Sequence, residues 1–180
     1  RKINYMQKSY EENYSKEMQD GYFLQDICLL DGRDFKDCVD LFVGGSPCQS
    51  FSSVGFQGGL DDPRGNLFFE YARLVNEIQP KVFIYENVRN LKKHNKGETW
   101  KIVEDTFKSL GYKISSEVLN SADFGIPQNR RRLFVVGIKE NLEFDFNCLI
   151  KKDLLFSLQD FLIDNAKEGN FFYNESGDII

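Results

Sequence analysis

Two short blocks hold residues able to make and break bonds. Cys48 lies in Gly44-Gly45-Ser46-Pro47-Cys48-Gln49-Ser50-Phe51-Ser52, directly after the apolar run Leu41, Phe42, Val43. Glu86 follows a second such run, Val82 to Tyr85, and precedes Asn87 and Val88. In open parallel sheets, reactive groups collect beyond the carboxyl ends of the strands. If the two runs form neighbouring strands, a thiol and a carboxyl face one crevice. A Cys-His hydrolase would need an imidazole beside the thiol. The single histidine, His94, instead sits in a Lys- and Asn-rich stretch and reads as a solvated loop residue. A thiol beside a partly buried carboxyl suits addition to an electron-poor ring. The thiolate attacks carbon while a protonated carboxyl donates to a ring nitrogen and disperses the developing charge.

The elements that must position these groups can be read from periodicity. Ile3, Met6, Tyr10 and Tyr14 recur at helical steps and predict an opening amphipathic helix. Phe23 to Leu30 reads as a short strand and turn, and Leu41 to Val43 as a buried strand stopped by Gly44 and Gly45. Ser46 to Gly65 is a long loop rich in Gly, Ser, Asp and Pro, a kind that is usually functional in compact domains. Leu67, Phe68, Tyr71, Leu74, Val75 and Ile78 fall on one helical face, with Pro80 just beyond. Lys81 to Tyr85 is the next strand and Asn87 to Glu98 a polar loop. Trp100, Val103, Phe107 and Leu110 mark another helix, with Gly111 in the C-terminal position. Strands follow at Tyr112 to Val118 and Leu133 to Ile138, and Leu154 to Leu162 suggests a last helix. This alternation predicts an α/β fold with a mostly parallel sheet and helices on both faces.

The 180 residues, 41% hydrophobic, suffice for one core. No apolar run approaches the roughly 18 residues of a membrane span, and no signal pattern opens the chain. The expectation is a cytoplasmic protein with no membrane association. Cys28, Cys38, Cys48 and Cys148 form no CxxC pair and share one histidine, so no metal site is expected. Disulfides are disfavoured in a reducing compartment, and Cys28, Cys38 and Cys148 read as buried or half-buried small hydrophobes. The net charge of -5 opposes a protein that blankets phosphates with cations. Arg130, Arg131 and Arg132 form the one local basic cluster that singles itself out.

Several ordered blocks together resemble the DNA cytosine-C5 methyltransferase family of the bacterial restriction-modification type. GGSPCQSFS is similar to its nucleophile block, centred on Pro47-Cys48-Gln49. Asp62 to Glu70 is similar to the next block, in which Leu67 would lie against the cofactor. Glu86-Asn87-Val88 matches the Glu-Asn-Val block, and Asp123 to Arg132 resembles the Gln-x-Arg-x-Arg block through Gln128, Arg130 and Arg132. Gln25-Asp26-Ile27 resembles the adenine-binding block, with Gln25 where the family usually has glycine.

The resemblance implies a Rossmann-like, S-adenosylmethionine-dependent fold, with double-stranded DNA as substrate and a target base flipped out of the duplex. Catalytic roles would fall to Cys48, Glu86, Arg130 and Arg132. Asp26, Ile27, Pro47 and Leu67 would hold S-adenosylmethionine, and Gln49, Ser50, Ser52, Asn87, Val88 and Gln128 would contact the substrate. The family's opening Phe-x-Gly-x-Gly strand, its target-recognition region and its closing blocks are not found. The chain therefore reads as a fragment, inactive alone: residues 1–150 a partial catalytic domain, and 151–180 a helix and the start of a linker. A complementary chain could supply the rest, and the unpaired sheet edge could instead pair two copies. Nucleoid association would follow from the DNA substrate. Two other readings compete: an RNA cytosine-C5 methyltransferase, and an idle domain kept for binding DNA or protein.

Overall fold

A computed structural model describes residues 5–14, 26–47, 67–139 and 142–161. In chain order the regular elements are α1 (Tyr5–Tyr14), β1 (Leu41–Gly45), α2 (Leu67–Ile78), β2 (Val82–Val88), α3 (Glu98–Ser109), β3 (Lys113–Asn120) and β4 (Arg131–Ile138). Both internal helices and all four strands match the periodicity in the sequence. Their sheet has the order β1-β2-β4-β3.

Strand polarity departs from expectation. Strands β1 and β2 run parallel around the α2 crossover, but β4 lies antiparallel to both β2 and β3. The sheet is mixed because residues 121–130 turn the chain straight back from β3 into β4, and no second crossover helix intervenes. Apolar runs report burial and leave direction open.

The pleat sorts the side chains. Phe83, Tyr85 and Asn87 on β2 and Leu133 and Val135 on β4 point to one face and are buried there. Helix α2 contributes Phe68, Tyr71, Ala72 and Val75 to that same cluster, and α3 contributes Val103 and Phe107. Among the described residues the helices thus cover one face, where two had been expected. Edge-on aromatic contacts such as Phe68 to Phe107, at 5.5 Å between centroids, fill the layer. Tyr71 ties the layer to the sheet. Its hydroxyl donates to Ile84 O at 3.0 Å, and its ring occupies the space where a Cβ on Gly44 would stand, 2.9 Å away.

The opposite face carries Ile84, Glu86, Arg132, Phe134 and Val136. There Leu41 and Val43 on β1, the edge strand among the described residues, are 53% and 60% exposed. Helix α3 ends at Gly111, whose φ of 87° any other residue would adopt with strain.

Two further expectations change, the last helix and His94, and two others fall partly outside the described residues. Of the strand and turn expected over Phe23 to Leu30, residues 23–25 lie outside the described residues, and Ile27–Leu29 form a short 3-10 turn. Residues 154–157 are extended and exposed, and only Leu158–Phe161 forms a 3-10 turn in place of the last helix. The opening helix forms as α1; on it the rings of Tyr10 and Tyr14 lie 4.8 Å apart and are 47% and 49% exposed, while Ile3 lies outside the described residues. His94 is half-buried, its Nδ1 2.7 Å from the Oγ1 of buried Thr99, and not a solvated loop residue.

Candidate active site

The register settles the arrangement on which the chemistry depends. Strands β1 and β2 are neighbours, with Gly45 opposite Glu86. The chain leading to Cys48 and the Glu86 carboxylate therefore lie at one end of the sheet. The approach is close enough that a Cβ on Gly45 would stand 2.6 Å from Glu86 O and 3.2 Å from Glu86 Oε2, so only glycine fits. Cys48, Gln49, Ser50 and Ser52 lie outside the described residues.

Glu86 is held from the other side by Arg132. Their Oε1 and Nε are 3.0 Å apart, with the side chains 39% and 26% exposed. One carboxylate oxygen is thus engaged and the other faces Gly45. The pair forms one wall of a cleft of about 310 Å³, within the usual range for small-ligand sites. Leu119, Phe124, Phe134 and Leu149 give it apolar sides, and Arg130 stands at its rim. Phe134 pairs with Glu86 and Leu119 with Arg132, which places all four on one face of the sheet. Ser121 fixes the loop that carries Arg130 by donating from its hydroxyl to Gln128 O at 2.9 Å. A backbone bond from Lys152 N to Asp123 O, at 3.0 Å, brings the later segment alongside.

Asn87, next in the chain, points the other way. It is 2% exposed, and its Nδ2 donates to Ser46 O at 2.9 Å and to the Tyr85 hydroxyl at 2.7 Å. Ser46 Oγ and Tyr85 OH are 2.6 Å apart. This buried triad holds the backbone just after β1, two residues ahead of Cys48 in the chain. The side chain expected to meet substrate is committed inside the protein, because residue 87 falls on the helix-covered side of the pleat. Val88 and Gln128 border a second, basic groove next to the cleft.

The four residues expected at the cofactor occupy separate elements. Asp26 caps the 3-10 turn through Oδ1, which accepts from Cys28 N at 3.0 Å. Ile27 is half-buried, Pro47 is exposed after β1, and Leu67 opens α2. Sequence reading missed the group that ties the Asp26 turn down. Arg73 donates to Ile27 O at 3.2 Å and Leu30 O at 3.0 Å, and pairs with Glu70 at 2.8 Å and Glu77 at 2.7 Å. Glu77 in turn accepts from Gly32 N at 2.8 Å. The i, i+3 and i, i+4 spacing of Glu70, Arg73 and Glu77 on a helix was the available signal.

Cys28, Cys38 and Cys148 are exposed free thiols, contrary to the buried positions expected. Each sits in or beside a short 3-10 turn on the surface, outside the buried core cluster. Desolvation, and then the Asp26 carboxylate, push the Cys28 thiol up from its ordinary value. Among the described residues no group of three or more His, Cys, Asp or Glu could hold a metal. None of their helices is long and apolar enough to cross a membrane.

Solved structures with this architecture are methyltransferases. A Spodoptera frugiperda DNMT2 mutant matches with TM-score 0.62 at 21% identity, over 86% of this chain and 48% of that one. The Entamoeba histolytica methyltransferase EhMeth matches with TM-score 0.58 at 18% identity, over 86% and 49%. At these identities the likeness establishes the α/β, Rossmann-like fold alone. Residues 2–175 match the family model for C-5 cytosine-specific DNA methylase, and the chain belongs to that family. It is 42% identical over 153 residues to the orphan methyltransferase M.SPRI of Bacillus phage SPR, covering 81% of this chain and 34% of that protein. It is 36% identical over 160 residues to the type II methyltransferase M.HhaI of Haemophilus parahaemolyticus, covering 84% and 47%. The chain thus spans between a third and a half of the length of these relatives.

Proposed function

We propose that this chain carries the catalytic centre for methylating C5 of a cytosine flipped out of duplex DNA, with Cys48 as nucleophile. The observation that carries the reading is the register of β1 and β2, which sets Gly45 against Glu86 and brings the chain before Cys48 to the cleft holding the Glu86–Arg132 pair.

In this reading the cytosine ring enters the apolar cleft. The Cys48 thiolate forms a bond to C6 as Glu86 gives a proton to N3, so the ring electrons gather at C5 without charge building on the ring. C5 then takes the methyl group, its proton leaves to a base, and the C6–S bond breaks as N3 returns its proton to Glu86, which restores the ring, the carboxyl and the thiolate. Arg132 orients Glu86 through one oxygen, leaving the other for the ring. Arg130 reaches the nucleotide from the rim. Asn87, through Ser46 and Tyr85, positions the nucleophile turn without touching substrate.

S-adenosylmethionine supplies the methyl group when bound. The residues suit it: the Asp26 carboxylate is exposed and accepts from Cys28 N through Oδ1, so it presents an acceptor at the surface, and Ile27, Pro47 and Leu67 offer apolar surface. Residues 1–150 form the catalytic unit, and 151–180 lead toward a DNA-reading region. Regions beyond this chain, on the same or a complementary polypeptide, complete the enzyme.

The test is covalent trapping. The chain, fused to flanking segments of a type II relative, is incubated with S-adenosylmethionine and duplex DNA containing 5-fluorocytosine, whose C5 carries no removable proton. A protein-DNA adduct that disappears in Cys48→Ala is the expected result. No adduct on DNA refutes the reading, and an adduct on fluorinated RNA alone would redirect it to an RNA substrate.

A further inference from the structure

Beside the apolar cleft runs a second depression, of about 690 Å³, lined by Arg89, Asn90, Gln128, Asn129, Arg130 and Arg131 together with Val88 and Arg132. The β2–β4 register creates it. Val88 pairs with Arg132, so Arg89 emerges just past the end of β2 where Arg131 begins β4. Four guanidinium groups therefore meet at one place in a chain whose net charge is -5. Only Arg132 is neutralised, by Glu86. Arg89, Arg130 and Arg131 are exposed and make no ion pair among the described residues, and no carboxylate lines the groove. The remaining polar lining, Asn90, Gln128 and Asn129, supplies neutral amide donors.

We propose that this groove binds the phosphodiester backbone of duplex DNA beside the target nucleotide, with Arg89 and Arg131 pairing with phosphates. The inference rests on the function proposed above and extends it to two residues that the family blocks leave without a role. The two depressions share Arg130 and Arg132 at their common wall, yet differ in chemistry: one is apolar with a single carboxylate, the other is rich in cations and amide donors. That division suits a nucleotide whose base enters the first and whose backbone lies along the second. Arginine's fork of donors matches phosphate oxygens bidentately. Interactions of this kind position the duplex without reading its sequence.

The experiment measures binding of the full 180-residue chain to a fluorescein-labelled duplex of mixed sequence, by anisotropy across a series of salt concentrations. Removing one arginine–phosphate pair lowers the slope of log K against log salt by about 0.9. Arg89→Gln and Arg131→Gln are each expected to do so, the double variant to lower it by about 1.8, and the reductions to be alike for unrelated sequences. Arg89→Lys and Arg131→Lys keep the charge and the slope. Lys101→Gln, on the exposed side of α3, leaves it unchanged. The proposal is overturned if the Gln variants keep the parent slope, if Lys101→Gln lowers it equally, or if the parent chain shows no salt-dependent binding. Trapping separates this failure from failure of the chemistry. An adduct with an unmoved slope removes the groove alone, whereas a slope that falls in the variants without any adduct keeps the groove and removes the methylation reading.

Discussion

Replacing Tyr85 with Phe tests the buried triad behind the backbone that follows β1. Tyr85 is fully buried, and its hydroxyl lies 2.6 Å from Ser46 Oγ and 2.7 Å from Asn87 Nδ2. Removing it leaves Ser46 Oγ without its one side-chain partner among the described residues. Asn87 still donates to Ser46 O at 2.9 Å and accepts from Val88 N at 2.8 Å, so it loses one of its two donated bonds and not both. Leaving a buried polar group unsatisfied costs about 1–3 kcal/mol, and one fully orphaned hydroxyl plus one half-satisfied amide should cost about 2 kcal/mol. Ser46→Ala alone should cost about 1 kcal/mol, because Tyr85 keeps its bond to Asn87. The double variant removes both partners of the hydroxyl pair together, so its loss should fall short of the sum by about 1 kcal/mol. Urea unfolding reads this as a lower midpoint at constant slope. Strict additivity of the two substitutions, or a Tyr85→Phe loss under about 0.5 kcal/mol, would show that the triad does not hold the turn.

Two further perturbations probe the frame. Burial pushes the Tyr112 hydroxyl, which donates to Pro80 O at 2.7 Å, up to about 12, and raises that of Tyr71 as well. Above the ordinary value of 10 the unfolded chain sheds these protons while the folded one keeps them. Their stability contribution is therefore complete below about pH 10 and falls as pH rises toward 12; Tyr112→Phe should flatten that decline in urea melts run at stepped alkaline pH. Arg73→Ala strips donors from Ile27 and Leu30 and leaves Glu70 and Glu77 unpaired, at about 1–3 kcal/mol once partial exposure is allowed for. Arg73→Lys should restore only part of it, since a single ammonium cannot serve both carbonyls and both carboxylates. Hydrogen exchange localises the effect. Faster exchange at residues 28–33 with α3 unchanged is expected, and uniform exchange throughout would contradict the account.

Helices α2 and α3 and strands β2 and β4 were legible because each is an apolar run that buries side chains in the core, and Gly111 was legible because its position after Leu110 needs a positive φ. Polarity was not. The runs Val82 to Tyr85 and Leu133 to Ile138 are equally apolar, yet one is parallel to β1 and the other opposes it, since direction is decided by the connections. The last helix misled for a related reason. Leu154, Leu155 and Phe156 have helical spacing but stay exposed, so no packing supports the turn that spacing suggested. At the site, Glu86, Arg130 and Arg132 were legible from residue type and order. Leu119, Phe124, Phe134 and Leu149 were not, because they join the cleft only through pairings and a returning segment that no local pattern encodes.

The Glu-Asn-Val block shows why adjacent residues of similar polarity take opposite tasks. Side chains alternate along a strand, so Glu86 and Asn87 must face opposite sides of the sheet. The side covered by α2 and α3 is dry, and a polar group there has to satisfy itself internally; a neutral amide can do so with Ser46 and Tyr85, whereas a carboxylate would need a buried cation. The open side carries the cleft and Arg132, so a carboxylate is tolerated there. Exchanging the two residues would place the charge in the core and the amide in the cleft, and a shift of register by one residue would do the same to every pair along β2. The pleat, fixed by Phe83 and Tyr85 packing under the helices, therefore decides which of the two residues faces the cleft and which is held inside.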